Sequence, residues 1–145
     1  MSMQPHAEFE LWAAACEPAW RQLRAAKGRR RAQQIFAQLD PEQQWLVALW
    51  EVEAEVVNGG FSQLYCNGKG WMTPTAAIGL RELVMGDAAE VLNRAHVVGR
   101  RAYDEGGSCL DASQIDLLDE FNRPFWSLVK GLDSRVAEYL RKRVS

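Results

Sequence analysis

A thiol, an imidazole and a side-chain amide are the parts of a cysteine nucleophile with its base and orienting group. This sequence holds those types in Cys66, His96 and Asn58 or Asn67. No local pattern of a cysteine hydrolase surrounds them, so they define no reaction. The only histidines are His6 and His96, and no H-x-x-x-H or E-x-x-H pair stands on one helix face, so no metal is expected. The phosphate-cradling loops G-x-x-x-x-G-K-[ST] and G-x-G-x-x-G are absent as well, and no cofactor is expected. The chain is therefore read as a protein that is not an enzyme.

What the sequence concentrates is carboxylate. Residues 51–61, EVEAEVVNGGF, hold Glu51, Glu53 and Glu55 ahead of a Gly-Gly pair. The element that must position them is a helix starting at Asp40-Pro41, where Asp40 can cap and Pro41 can take the first helical position, and ending at Val57 before Asn58-Gly59-Gly60. On a helical wheel Trp45, Leu49, Val52 and Val56 form one edge of an apolar face and Leu46, Trp50 and Val57 the other, with Glu53 between them. Glu51 and Glu55 fall on the opposite side, where water can solvate them. A carboxylate aimed at a core needs hydrogen-bond donors, and the free N–H groups of a new helix start at Gly60-Phe61-Ser62-Gln63 are the nearest. Glu53 is expected to fold back and clamp that corner, with Gln63 or Asn67 as further donors; a buried catalytic acid is the alternative reading. Gly59 or Gly60 is expected to need a positive φ.

Caps and a 3.6-residue period recur along the rest of the chain, so the expected fold class is all-α, a single compact domain of about six to eight helices without internal repeats. Helical pieces are expected over 7–16 and 18–27, interrupted at Pro18 or restarting there, then from about 29 to 39. A short helix from Phe61 to about Cys66 is expected after the corner, followed by the loop 67–70. Thr73-Pro74 opens a helix ending near Val84, Gly86-Asp87 a longer one to about Tyr103. The last third reads as a helix from about Ser113 into the Pro124 region, then Asp133 to Arg143.

The stretch WEVEAEVVNGGFSQLYCNGKG resembles the signature of the DNA-mimic protein family, small all-helical bacterial proteins marked by E-x-E-V-N-N-G-G-F-x-Q-Y-x-x-N. Glu53, Glu55, Val56, Asn58, Gly59, Gly60, Phe61, Gln63 and Asn67 stand at matching positions. AAIGLRELVMGDAAEVLNRA and LDEFNRPFWSL are similar in kind, while Val57 replaces the first asparagine and Leu64-Tyr65 departs from the spacing after the glutamine. The resemblance implies an acidic protein, dimeric in its best-described member, that imitates DNA to occupy a transcription factor.

Mimicry of that kind needs carboxylates spaced like phosphates. Residues 40–60 hold Asp40, Glu42, Glu51, Glu53 and Glu55 with no Lys or Arg, and residues 104–120 hold Asp104, Glu105, Asp111, Asp116, Asp119 and Glu120, again with no base. Helix faces in water and first-turn acids also explain such segments. The formal net charge of −2 argues against a full DNA mimic. Arg21, Arg24, Lys27, Arg29, Arg30 and Arg31, beside Trp20, form an opposite pole that suits a phosphate backbone or a solvated turn. Of the six tryptophans, Trp71 alone sits in a glycine-bounded loop, NGKGWMTPT, where it is expected to be available for contact.

Cys16, Cys66 and Cys109 form no C-x-x-C pair, the first residues lack a signal pattern, and no apolar run is long enough to span a bilayer, so a cytoplasmic protein is expected. The expected function is a non-enzymatic protein-binding regulator whose acidic residues engage a basic partner, a transcription factor or, as the alternative, a toxin or nuclease held by an immunity-type inhibitor. A homodimer fits this reading, whereas a membrane does not, and direct contact with nucleic acid is not expected.

Overall fold

The computed structural model describes residues 5–104 and 110–144. Among them are eight α-helices, one 3-10 turn and no strand: α1 Pro5–Arg24, α2 Arg29–Gln38, α3 Pro41–Cys66, the turn Gly70–Met72, α4 Thr73–Glu82, α5 Gly86–Asp104, α6 Ala112–Asp119, α7 Asn122–Leu128 and α8 Leu132–Val144. The all-α expectation holds. No helix among the described residues is long and apolar enough to cross a membrane. The helices gather into two compact units, one spanning Met1–Val47 with Lys130–Ser145 and the other Ala48–Val129, with α3 contributing to both.

In the first unit α1 packs on α8 and α2. Trp12, Cys16 and Ala19 give α1 one buried face with period near 3.6. The Trp12 indole donates to the Leu46 carbonyl at 3.0 Å. Pro18 does not interrupt α1, contrary to expectation. Pro18 lies on the exposed side, while Trp12, Cys16 and Ala19 bury the opposite face on both sides of it. Asp40 caps α3 as expected, its Oδ1 accepting from the Gln43 N–H at 3.0 Å. Near the same end, Tyr139 of α8 donates to Glu42 Oε2 at 2.9 Å and sets its ring edge-on to Trp45, with centroids 5.1 Å apart.

In the second unit α4 lies along α5, and α5 also meets α6 and α7. The region expected as one helix into Pro124 is two, because Asp111 and Gln114 close a capping box that starts α6 and a turn at Glu120–Phe121 separates it from α7. Val84, after α4, has φ 59° and is 83% exposed, a left-handed position that a β-branched residue adopts only under strain.

Candidate protein-binding surface

The corner at Gly60 organises the carboxylates. Residue 69 lies 18 positions after residue 51, which along a straight helix is about 27 Å. Yet Lys69 Nζ sits 2.8 Å from Glu51 Oε2. The chain must therefore double back, and it does so at Gly60, whose φ of 82° and ψ of 178° break α3 into two arms. That region of backbone space is open essentially to glycine alone. Of the two glycines expected to offer a positive φ, Gly59 or Gly60, it is Gly60 that has it, and the break expected after Val57 is this corner, with helix on both sides.

Turning the chain frees backbone groups, and α7 supplies partners for two of them. In a straight helix the Phe61 N–H would donate to the Val57 carbonyl; at the corner it donates to Asn122 Oδ1 at 2.8 Å. The Val56 carbonyl accepts from the Trp126 indole at 3.0 Å. Asn122 and Trp126 are four residues apart, on one face of α7. Asp119 Oδ1 accepts from Asn122 Nδ2 at 3.2 Å, which aims the amide oxygen at the corner. Phe61, fully buried, meets Phe125 edge-on at 5.5 Å and Phe121 at 6.4 Å. Neither Asn122 nor Trp126 was marked from the sequence as a partner of the corner.

The two side-chain donors expected at the clamp meet a different glutamate. Gln63 Nε2 and Asn67 Nδ2 donate to Glu55 Oε2 at 2.8 and 2.9 Å, so the donors assigned to Glu53 serve Glu55. The reason is geometric: which side of the first arm faces the second depends on the corner dihedrals, which a straight wheel does not contain. Glu53 is half-buried. A Cβ on Gly59 would fall inside the Gln63 side chain, so the bare glycine is what lets Gln63 lie back toward Glu55. Asn58 is exposed.

Lys69 completes the cluster, reaching Glu55 Oε1 at 3.2 Å as well as Glu51. Burial pushes the Glu55 carboxyl up, but hydrogen bonds from Gln63, Asn67 and Lys69, with the lysine's charge, together hold it below the ordinary glutamate value. For Lys69, burial acts downward, and the hydrogen bonds and charges of Glu51 and Glu55 raise it above the ordinary lysine value. Glu51 and Glu55 are thus not the freely solvated acids the wheel suggested, because they share one ammonium. Val57, placed on the apolar face by the wheel, is 56% exposed beyond the last buried turn of the first arm.

The other acids named from the sequence scatter. Asp40 is the cap of α3, and Glu42 pairs with Arg143 and Tyr139 in the first unit. In the second unit Asp111, Asp116, Asp119 and Glu120 are exposed on or beside α6. Asp111 is spent on the capping box and Asp119 on Asn122. Asp116 and Glu120 remain, and among the described residues no ion pair reaches either. The Glu105 site and the Asp104 side chain lie outside the described residues. Trp71, expected to be open for contact, is half-buried in the 3-10 turn.

Beside the corner, Tyr65 Oη lies 2.7 Å from His96 Nδ1 and 3.3 Å from Thr73 Oγ1. Its ring fills a slot whose walls are Gly70 and Gly99, each of which would overlap it if it carried a Cβ. Burial pushes the Tyr65 phenol well above its ordinary value, so it stays neutral and holds its place as a hydrogen-bonding strut. Cys66 is exposed. Among the described residues no cluster of three His, Cys, Asp or Glu side chains could hold a metal ion.

No curated protein and no solved structure matches the chain. The family description that does match, over residues 37–143, is that of a DMP19-like protein. DMP19 is a DNA-mimic family. The matched span contains both arms of α3, the Gly60 corner and the α7 side chains that satisfy it, and the chain belongs to the DMP19-like family.

Proposed function

We propose that the protein is a non-enzymatic regulator that binds a basic, DNA-binding protein through carboxylates on α6 and at its C-terminal end. The observation that carries this reading is the unequal state of the acids: Asp116 and Glu120 are exposed with no cation in reach among the described residues, whereas Glu51 and Glu55 are held by Lys69. Only uncompensated carboxylates project enough field to steer a cationic partner. Membership of the DMP19-like family supports a role in protein binding of the DNA-mimic kind. Leu117, 47% exposed between those acids, supplies an apolar contact that a purely electrostatic encounter would lack.

The test is capture of partners on the immobilised full chain, followed by measurement of whether the captured protein's complex with labelled duplex DNA dissociates as the chain is added. Competition supports a DNA-mimic regulator. A partner that stays on DNA while bound to the chain contradicts it, and a captured toxin or nuclease that loses its activity points to the immunity-type inhibitor instead.

A further inference from the structure

A cluster of exposed cations lies where α1 ends and α2 begins. Arg21, Arg24, Lys27, Arg29, Arg30 and Arg31 are all exposed within eleven residues. Glu17 is the acid that meets this group, accepting from Arg24 Nη2 at 2.7 Å and forming an ion pair with Arg21, whose Nε lies 3.5 Å away. Among the described residues no carboxylate comes within ion-pair reach of Lys27, Arg30 or Arg31, and the hydrogen bond of Arg31 goes to the neutral amide of Gln34. The three consecutive arginines occupy the first turn of α2, which holds no acidic residue and whose N-cap, Gly28, has no side chain to offer. Cations there oppose the helix dipole, so helix stability does not account for them.

We propose that this α1–α2 shoulder binds the phosphate backbone of duplex DNA. The kind of surface decides among polyanions. Protein interfaces are anchored by apolar or aromatic side chains, and none of the exposed large apolar residues (Phe9, Val57, Ile78, Val84, Val97, Leu117, Trp126, Leu128) lies between residues 17 and 34. A second copy docking its acids here would therefore rely on exposed ion pairs, which individually contribute little. Single-stranded nucleic acid needs exposed rings for base stacking, and Trp20, the one aromatic within the shoulder, is half-buried. A duplex asks only for positive charge along its backbone, and five of the six cations are arginines, whose planar forks match phosphate oxygens. The shoulder also precedes residue 37, where the match to the DMP19-like family begins, so it is a feature of this chain outside the shared region. The inference is independent of the α6 reading, and it departs from the expectation that nucleic acid is not contacted directly.

The experiment is fluorescence anisotropy of the full chain with a labelled 20-base-pair duplex of arbitrary sequence, without any partner protein, from 50 to 200 mM salt. With about four phosphates engaged, affinity falls about a hundredfold over that range, a log–log slope near about −3.6. The variant Arg29→Gln, Arg30→Gln, Arg31→Gln reduces the slope by about two to three units. Its thermal midpoint stays equal to or above that of the parent chain, which separates lost contact from lost fold. No binding at 50 mM salt, binding unchanged by the triple variant, or binding to a single strand in preference to the duplex overturns the proposal. Salt-sensitive self-association in place of DNA binding overturns it in favour of a second copy.

Discussion

Replacing Gly60 with alanine tests the corner at its narrowest point. At φ 82° and ψ 178° an L-residue is strained by about 1–3 kcal/mol. The new Cβ would stand 2.5 Å from Asn122 Nδ2 and 3.0 Å from its Cγ, so the amide must leave. Its departure strands the Phe61 N–H beside a buried ring, which costs about another 1–3 kcal/mol. Together these predict a loss of at least about 2 kcal/mol, a large part of the about 5–15 kcal/mol that holds a typical domain folded. Urea unfolding, read as the midpoint shift at unchanged slope, measures it. Asn122→Ala alone should cost about 1–3 kcal/mol, and the double variant should cost clearly less than the sum, because alanine at 60 has already displaced the amide. A Gly60→Ala loss under about 1 kcal/mol, or strict additivity with Asn122→Ala, would refute the account of the corner.

Three further outcomes follow from the second unit. The folded-state pKa of Glu55 is depressed, so its contribution to stability is present above the ordinary value of 4.5 and is lost as pH falls through the lower folded value; Glu55→Gln should flatten that acid limb in melts taken between pH 6 and pH 2.5. An acid limb identical to that of the parent chain would show that the cluster with Gln63, Asn67 and Lys69 does not hold the charged form. Val84→Gly should raise stability by about 0.5–1 kcal/mol, since relief of a left-handed β-branched residue exceeds the entropy glycine adds to the unfolded chain; an unchanged or lower thermal midpoint would contradict the strain. Gly99→Ala pushes a methyl group into the Tyr65 ring and should cost about 1–3 kcal/mol, with a matching fall in thermal midpoint, whereas an unchanged midpoint would mean that the slot is not tight.

How much of this was legible from the residues depends on the range of the interaction. Asp40-Pro41 announces the start of α3 because cap and first turn are adjacent in sequence. The Gly-Gly pair announces a break for the same reason, since a positive φ is a local demand that glycine alone meets cheaply. The Asp111–Gln114 capping box is equally local, and a helix start expected at about Ser113 falls just past it. Pro18 was misread in the other direction: its intrinsic preference is to end a helix, and burial of Trp12, Cys16 and Ala19 overrides it. That Gln63 and Asn67 donate to Glu55 could not be read, because the facing side of the arm is set by two dihedrals at Gly60. Lys69, 18 residues from Glu51, and Asn122, 61 residues from Phe61, leave no periodic trace at all. Counting carboxylates in a window therefore overstated the free charge of 40–60, and only the folded chain separates acids with partners from Asp116 and Glu120.

Steering of a basic partner by Asp116 and Glu120 is open to measurement through association kinetics with the captured partner. The comparison sets Asp116→Lys, Glu120→Lys against Glu10→Lys, Glu138→Lys, an equal charge change at exposed positions of α1 and α8. Asp119 is left intact because it orients Asn122 at the corner. The account predicts that at 0.1 M salt the α6 variant associates about tenfold or more slowly while the control stays close to the parent chain, and that the gap closes at 1 M, where the Debye length shrinks from about 10 to about 3 Å. Equal slowing of both variants, or a rate that ignores salt and the α6 reversal alike, would contradict it.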